Sequence, residues 1–335
     1  MKSLPNVAII GATGAVGQVL LQLLETRSFP LDSLKLIASP KSDGKTMIFR
    51  GQTLRLEPLS ESAFDGIDLC FFAAGKEISK RFAPIAVAKG AVVIDKSSAF
   101  RMHPEVPLVI PEINAEALKN HQGIIANPNC TATIMLMAIA PLHRKHRIER
   151  IIVATYQAAS GAGAEAIEEL REEVRAQVEG KSYSRKIFSQ QYAFNVFTHN
   201  SPLFDNGYVD EEMKLLEETR KILGDPEIRL SATCVRVPTI RSHAEALNIE
   251  FQEPVEVEEA YAILRSSPGI IQHENREKGL FASPIDAEGR NEVLFGRLRK
   301  DLSHPNALEM WVVGDQLLKG ASLNAVQIAE SLLTL

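Results

Sequence analysis

The chain has 335 residues, of which 45% are hydrophobic and 24% are charged. This composition excludes the disordered and fibrous classes, and the length suffices for two domains that each have a hydrophobic core. The 37 basic and 42 acidic residues give a formal net charge of -5, so the chain carries no overall positive charge that would attract nucleic acid or an anionic membrane.

The N-terminus and the cysteines indicate the cellular setting. The chain runs directly into an apolar segment at Val7–Ile10 without a charged and apolar leader. The longest apolar run, near residues 132–142, is too short to span a bilayer. Cys70, Cys130 and Cys234 are widely separated and suggest neither a disulfide framework nor a zinc site. We therefore expect a cytoplasmic protein with no metal site and with neither nucleic acid nor membrane as a partner.

The first part of the chain alternates short β-type segments with helical ones. The β-type segments are residues 7–10, 34–38, 69–73 and 92–95, and the helical ones are residues 14–24 and 78–89. This alternation predicts parallel βαβ units.

From about residue 148 the pattern changes to longer β-type segments between charged helices. The β-type segments are residues 151–157, 230–237 and 246–251, and the helices are residues 164–180 and 210–223. This predicts a second, α+β domain with a mixed or antiparallel sheet. The amphipathic segment at residues 321–333 predicts a last helix that packs back on the first domain.

A glycine-rich segment, GATGAVG at Gly11–Gly17, follows the first predicted strand and opens a helix. This is the context of a dinucleotide phosphate loop, in which glycines allow close backbone approach and the helix N-terminus receives the pyrophosphate. After the second strand, Ser39, Lys41 and Ser42 offer groups suited to a 2′-phosphate, which favours NADP over NAD. Asp43 counts against that preference. A ligand-free turn remains the alternative in both places.

Cys130 stands where the polar segment ANPNC gives way to apolar residues, which predicts a thiol at the start of a helix. The partial positive charge of a helix N-terminus lowers the pKa of a thiol and favours the nucleophilic thiolate. The alternative is an ordinary buried cysteine.

Two further segments carry candidate catalytic groups. The segment ATYQAASGAG, residues 154–163, is a strand that enters a turn of small residues, where a flat ring could approach the backbone. The segment CVRVPTIRSH, residues 234–243, places Arg236 and His243 near one strand and the loop that follows it. Histidine is the natural proton carrier at neutral pH.

These motifs together resemble the aspartate-β-semialdehyde dehydrogenase family over essentially the whole chain. The motifs that carry the likeness are GATGAVG, SSAFR, PLVIPEIN, NPNCT, TYQAASGAG, EEMK, RVPTIRSHAEALNIEF and WVVGDQLLKGASLNAVQIAE. The resemblance implies a Rossmann domain at residues 1–130, completed by residues 315–335, and a catalytic and dimerisation domain at residues 131–314. It also implies a homodimer that could assemble further into a homotetramer.

Members of that family reduce L-aspartyl-4-phosphate to L-aspartate-4-semialdehyde with NADPH and release phosphate, on the route to lysine, methionine, threonine and isoleucine and to diaminopimelate. By resemblance, Cys130 is the nucleophile that forms a thioester, Gln157 positions that intermediate, and His243 is the acid and base.

The same resemblance assigns partners to the charged groups of the substrate. Arg236 would bind the carboxylate, since its planar fork suits bidentate pairing, and Glu211 would bind the ammonium. Lys214, Arg101 and Asn129 would bind the phosphate. Without the resemblance, Glu211 and Lys214 read as an ordinary surface pair three residues apart on a helix, and Arg101 as a solvated loop residue.

The cofactor would contact the glycine loop, the turn after the second strand and six positions farther along the chain. These residues are Gly11, Ala12, Thr13, Gly14, Ala15, Val16, Gly17, Ser39, Lys41, Ser42, Ala74, Gly75, Ser160, Gly161, Gln316 and Asn324.

The chain departs from the family pattern at Lys96, where many members have a small polar residue, and at Gln316, which replaces a more usual Asn. Two alternatives stay open. An N-acetyl-γ-glutamyl-phosphate reductase would share the cysteine chemistry, but its substrate has no ammonium for Glu211 to bind. A non-catalytic paralogue would bind a nucleotide or a partner only, although the whole catalytic set is present.

Overall fold

A computed structural model describes residues 4–335, and the chain divides into two compact units. The first unit comprises the residues up to Asn129 together with Ala321–Leu335. The second unit comprises Cys130–Gly320.

The regular elements of both units are numbered in chain order. The strands are β1 (Asn6–Ile10), β2 (Ser33–Ala38), β3 (Thr46–Phe49), β4 (Gln52–Pro58), β5 (Leu69–Phe72), β6 (Val92–Asp95), β7 (Ile124–Ala126), β8 (Ile148–Gln157), β9 (Phe197–Thr198), β10 (Arg229–Arg236), β11 (His243–Phe251), β12 (Ile270–Gln272), β13 (Glu274–Asn275), β14 (Leu280–Phe281), β15 (Val293–Lys300) and β16 (Ala307–Gly314). The helices are α1 (Ala15–Thr26), α2 (Lys76–Ala88), α3 (Pro111–Asn114), α4 (Cys130–Lys145), α5 (Ala164–Val178), α6 (Asp210–Leu223), α7 (Val257–Arg265), α8 (Pro284–Ala287) and α9 (Leu323–Thr334).

The first unit is built on a seven-stranded sheet in the order β3-β4-β2-β1-β5-β6-β7. All neighbours pair in parallel except β3 and β4, which form an antiparallel pair. Strand β1 lies at the centre, and Val7–Ile10 are buried, as expected for a strand that is covered on both faces. Its neighbours β2 and β5 lie on opposite sides, so the strand order reverses at β1, which is where dinucleotides bind in folds of this class.

The second unit is built on a seven-stranded mixed sheet in the order β12-β15-β16-β11-β8-β10-β9. Strands β8 and β10 run parallel, whereas β11 pairs antiparallel with both β8 and β16. Helix α4 packs against this sheet and against α6 and α7, and residues 131–140 are all buried. That burial explains why this helix is apolar on every side. No helix in the described part of the chain is long and apolar enough to cross a membrane.

The architecture that the sequence predicts is confirmed: a parallel-sheet domain precedes an α+β domain with a mixed sheet. The boundaries differ from those predicted. Cys130 opens the second unit and does not end the first, and residues 315–320 belong to the second unit and not to the C-terminal part of the first. Within that segment, Asp315 Oδ2 accepts the Gly289 N–H at 2.8 Å and lies 2.8 Å from Arg241 Nε. These contacts hold the segment to the second unit, so the first unit resumes only at Ala321.

Helix α5 carries two buried carboxylates that fix the backbone of the following loop. Glu169 accepts the N–H groups of residues 186–188 at 2.6 to 2.9 Å. Glu173 Oε2 accepts those of Tyr192 and Ala193 at 2.8 and 2.9 Å, and its Oε1 binds Arg185 Nε at 2.5 Å. The loop thereby places the aromatic residues Phe188 and Tyr192 in a small core of the second unit.

Replacing Glu173 with Ala should lower the free energy of unfolding by about 2–6 kcal/mol, because two buried N–H groups lose their acceptor at about 1–3 kcal/mol each. The exposed Glu168, on the same helix, pairs with Arg171 at 2.7 Å and is the matched control. Glu168→Ala should cost less than about 1 kcal/mol. Urea denaturation of both variants is the measurement, and equal losses would contradict the role given to Glu173.

Candidate active site

The glycine loop between β1 and α1 is packed too closely for side chains at two positions. Gly11 has a φ of +86°, and a Cβ added there would lie 2.7 Å from the carbonyl oxygen of Ala73. A Cβ added to Gly17 would lie 2.3 Å from the carbonyl oxygen of Gly11. Glycine is required at both positions for the loop to lie against β5 and for α1 to start where it does.

Two helix N-termini face the carboxyl ends of adjacent parallel strands. Helix α1 follows Gly14 and helix α2 follows Gly75, and within residues 4–335 no side chain caps either helix. Thr13 and Gly14 are exposed. Uncapped N–H groups beside exposed small residues suit the two phosphates of a dinucleotide. The residues of this loop, with Ala74 beside Gly75, therefore fit a nicotinamide cofactor.

The turn after β2 presents the groups expected for a 2′-phosphate. Ser39 and Lys41 are exposed, whereas Ser42 is buried. Asp43, the acidic residue that counts against NADP, lies 3.8 Å from the guanidinium of Arg55, and both side chains are largely exposed. The sequence analysis missed Arg55, which comes close only because β3 and β4 pair with each other.

Cys130 is the first residue of α4, as predicted. Asn129, a residue type that favours the position before a helix, precedes it. Cys130 is partly exposed, whereas burial raises the pKa values of Cys70 and Cys234, and none of these three cysteines forms a disulfide within the described residues. Gly320 permits close approach, since a Cβ there would lie 2.9 Å from the Cβ of Cys130. Cys130 is therefore the cysteine best placed to act as a nucleophile.

His243 is fully buried at the start of β11. Its Nδ1 accepts the N–H of Ala158 at 3.0 Å, so the proton of the neutral ring is on Nε2. Nε2 has no hydrogen-bond partner within the described residues. Burial, followed by the positive charge of Arg236, lowers the pKa of His243 to about 3. The ring is thus a neutral donor whose Nε2–H has no acceptor within the described residues.

Arg236 is also buried, with an exposed fraction of 4%. Its Nη1 donates to the carbonyl oxygen of Ala158 at 3.2 Å, and its Nη2 lies 2.7 Å from Nε2 of His199. Within residues 4–335 no carboxylate pairs with this guanidinium, and its Nε has no partner. A buried charge without a counter-charge is costly, so this site is suited to an anionic ligand.

Gly161 lies beside both groups, because a Cβ there would be 3.1 Å from Nε2 of His243 and 3.2 Å from Nη1 of Arg236. Its neighbour Ser160 is buried, and the Ser160 hydroxyl accepts a bond from the Gln316 amide. The Oε1 of Gln316 accepts the backbone N–H of Ser242 at 2.7 Å. Gln316, which replaces the more usual Asn, therefore connects the turn around Gly161 to the residue before His243.

Gln157, Glu211 and Lys214 contact one another in the second unit. The Nε2 of Gln157 donates to Oε1 of Glu211 at 3.2 Å, and Nζ of Lys214 lies 3.3 Å from Oε2. Lys214 also pairs with Asp210 at 2.6 Å. Glu211 is 7% exposed, so this pair is not the ordinary surface pair that the helix spacing alone suggests.

Three other predicted residues lie in the first unit and are buried there. Arg101 donates to the carbonyl oxygens of Asn127 and Lys96 at 3.0 and 2.7 Å, so it is not a solvated loop residue. Asn129 directly precedes Cys130. The side-chain amide of Asn324 donates to Asn127 Oδ1 at 2.8 Å.

The sequence analysis also missed His199, which contacts Arg236 directly. His199 follows β9, and β9 pairs with β10 so that Phe197 is opposite Arg236. Nothing in the local sequence indicates this pairing, because the two residues are 37 positions apart in the chain.

Two family models match most of the chain. Residues 6–121 match the model described as semialdehyde dehydrogenase, NAD binding domain, and residues 139–319 match semialdehyde dehydrogenase, dimerisation domain. The fold and these matches define a semialdehyde dehydrogenase, an oxidoreductase with a nicotinamide-binding domain and a dimerisation domain.

Similar proteins and solved structures identify the family within this class. The chain is 55% identical to the aspartate-semialdehyde dehydrogenase of Synechocystis sp., over 99% of this chain and 98% of that protein, and 48% identical to that of Aquifex aeolicus, over 98% and 97%. The crystal structure of aspartate semialdehyde dehydrogenase II from Vibrio cholerae complexed with ASA has a TM-score of 0.96 and 44% identity, and the match covers 99% of this chain and 98% of that chain. The chain belongs to the aspartate-semialdehyde dehydrogenase family.

A more distant structure shares the fold alone. The aspartate semialdehyde dehydrogenase with NADP from Candida albicans has a TM-score of 0.74 at 21% identity, and the match covers 98% of each chain.

The low pKa of His243 predicts a loss of stability in acid. The folded-state pKa of His243 lies below its unfolded value of 6.5. The contribution of this residue to stability is therefore complete when the pH is well above 6.5, and it is lost as the pH falls toward 3. Between pH 7.5 and 5.5 the loss through this residue should be roughly 1 kcal/mol. His243→Asn, whose amide oxygen can still accept the Ala158 N–H, should not show this component. Urea denaturation of both proteins at the two pH values measures it, and identical pH dependence would contradict the assignment.

Proposed function

We propose that the chain catalyses the NADPH-dependent reductive dephosphorylation of L-aspartyl-4-phosphate to L-aspartate-4-semialdehyde, and the reverse reaction, through a thioester on Cys130. The observation that carries this proposal is the buried guanidinium of Arg236, which has no carboxylate partner in the described chain and lies close to the neutral imidazole of His243. We propose that this reaction belongs to the cytoplasmic synthesis of lysine, methionine and threonine.

The buried charges match those of an amino acid with a free amine. Arg236 would bind the α-carboxylate through a guanidinium whose position is fixed by Ala158 and His199. Glu211 would bind the α-ammonium, and its burial strengthens that ion pair. An N-acetylated substrate has no ammonium, so the buried Glu211 favours the aspartyl substrate over the N-acetyl-γ-glutamyl one. Lys214, with Arg101 and Asn129, is assigned to the phosphate.

The covalent step needs a nucleophile that is also a good leaving group, which favours cysteine. The Cys130 thiolate would attack the acyl carbon of the substrate, so that a C–S bond forms and the C–O bond to phosphate breaks. When bound, NADPH supplies the hydride that reduces the thioester. The C–S bond then breaks, which releases the aldehyde and restores the thiolate.

The chain's own residues would stabilise the tetrahedral stages of this sequence. His243 carries its proton on Nε2, so it would donate a hydrogen bond to the substrate oxygen as negative charge develops there. Gln157, held by Glu211 at 3.2 Å, would position the acyl group. The same His243 would hold that oxygen in the reverse direction.

The assignment of NADP is based on residues of the glycine loop and of the turn after β2. The pyrophosphate would lie at the N-terminus of α1, and the 2′-phosphate near Lys41 and the hydroxyls of Ser39 and Ser42. The ion pair between Asp43 and Arg55 supports NADP, because it offsets the acidic residue nearest this turn. Ser160, Gly161, Gln316 and Asn324 are assigned to the cofactor by the resemblance alone. For assembly we propose a homodimer formed through the second unit, which contains the segment matched as a dimerisation domain.

The first experiment measures NADP reduction by the purified protein with L-aspartate-4-semialdehyde and phosphate. Turnover should require phosphate and fall by at least about a thousandfold in Cys130→Ala, since the covalent route is lost. The buried cysteine of the first unit provides the matched control, and Cys70→Ala should retain activity. Intact mass should show an acyl adduct on the wild type when phosphate is omitted. Phosphate-independent turnover, or full activity in Cys130→Ala, would contradict the proposal.

A second experiment tests the preference for NADP. Lys41→Ala should weaken NADP binding about two- to fivefold, as expected for loss of one exposed ion pair, and leave NAD binding unchanged. The exposed Lys119 of the same unit is the control, and Lys119→Ala should alter neither affinity. Fluorescence titration with the two cofactors measures this. Unchanged NADP affinity in Lys41→Ala would refute the assignment of that residue.

A further inference from the structure

His199 is held in place by backbone and side-chain bonds on both sides. Its N–H donates to the carbonyl oxygen of Cys234 at 2.8 Å, which continues the pairing of β9 with β10. The ring is partly buried, with Nε2 2.7 Å from Nη2 of Arg236 and Nδ1 3.0 Å from the hydroxyl of Ser201. The ring is therefore held by Arg236 and Ser201, and the backbone of His199 by Cys234.

The chemistry of arginine decides which nitrogen of this ring carries the proton. A guanidinium donates only and stays charged, so Nε2 of His199 must accept and cannot carry a proton. The proton is then on Nδ1. Of the two groups near Nδ1, the Ser201 N–H at 3.2 Å can only donate, whereas the Ser201 hydroxyl at 3.0 Å can accept, so Nδ1 donates to the hydroxyl. The Ser201 oxygen also accepts the backbone N–H of Glu211 at 3.1 Å. A hydrogen-bonded connection thus runs from the start of α6 to Arg236.

We propose that His199 is a positioning residue for substrate binding: it orients Arg236 through a neutral acceptor and leaves the whole positive charge of the guanidinium for the substrate carboxylate. This inference rests on the proposed function. An acidic residue in the same place would orient Arg236 equally well but would neutralise it, and it would compete with the substrate.

The surroundings keep this ring neutral. Burial, followed by the charge of Arg236, lowers the pKa of His199 to about 4. Arg236 has few other means of orientation, since Nη1 bonds to the carbonyl oxygen of Ala158 and Nε has no partner in residues 4–335. The ring of Phe188 lies 5.9 Å from the guanidinium carbon and adds contact but no hydrogen bond.

The test compares two substitutions of nearly equal shape. His199→Gln keeps a neutral oxygen within reach of Arg236, whereas His199→Glu places a carboxylate there. We expect the KM for L-aspartate-4-semialdehyde to stay within about threefold of wild type in His199→Gln and to rise tenfold or more in His199→Glu. His199→Ala should raise the KM about five- to tenfold. The KM values for phosphate and NADP should change by less than about twofold in all three variants, because the defect is confined to the carboxylate.

A double-mutant cycle with Arg236→Lys shows whether His199 acts through Arg236. The increase in the KM for L-aspartate-4-semialdehyde that His199→Ala causes should be at least threefold smaller in the Arg236→Lys background. Equal effects in both backgrounds, a wild-type KM in His199→Glu, or parallel rises in all three KM values would overturn the proposal. If the wild-type protein has no turnover, the proposed function itself is refuted. If Arg236→Lys raises the KM for L-aspartate-4-semialdehyde but the His199 variants do not, only this inference is refuted.

Discussion

The buried positive charge of Arg236 organises the polar groups around it. Its guanidinium is 4% exposed, and the groups that touch it are neutral: a carbonyl oxygen, an imidazole and an aromatic ring. Isolated charges in a protein interior cost several kcal/mol, so an unpaired one is kept only where a ligand offsets the cost. Burial, followed by the same charge, lowers the pKa values of His199 and His243, and both rings therefore remain neutral.

Both rings are neutral, but their protons are on different nitrogens. One ring therefore accepts a hydrogen bond from Arg236, whereas the other has an Nε2 proton without an acceptor in the described residues. In His199 the nitrogen that faces Arg236 accepts, so the ring orients the guanidinium. In His243 the Ala158 N–H occupies Nδ1, which leaves a donor on Nε2. The backbone of Ala158 binds both residues: its carbonyl oxygen accepts from Arg236, and its N–H donates to His243. One residue of the chain thus fixes the guanidinium of Arg236 and the ring of His243 together.

The sequence predicts the parts of this arrangement that depend on local patterns. The alternation of segments predicts the parallel sheet, and the change from ANPNC to apolar residues places Cys130 at the start of a helix. The burial of Glu211 does not follow from its helix, because EEMK reads as a solvated surface until β10 packs against α6. The role of His199 depends on a two-residue strand that pairs across a long stretch of chain, which no periodicity reveals.

The chain passes between its two units at residues 129/130 and again at 320/321, and both crossings involve Cys130. The first crossing makes Cys130 the opening residue of the second unit. At the second crossing, Gly320 comes so close that any side chain there would strike the Cβ of Cys130. Asp315 holds the segment that leads to Gly320 through the Leu317 N–H at 2.9 Å and through Arg241. The position of Cys130 therefore depends on a segment that follows it by 190 residues in the chain. This explains why residues 315–320 stay with the second unit, although the helix that follows them completes the first.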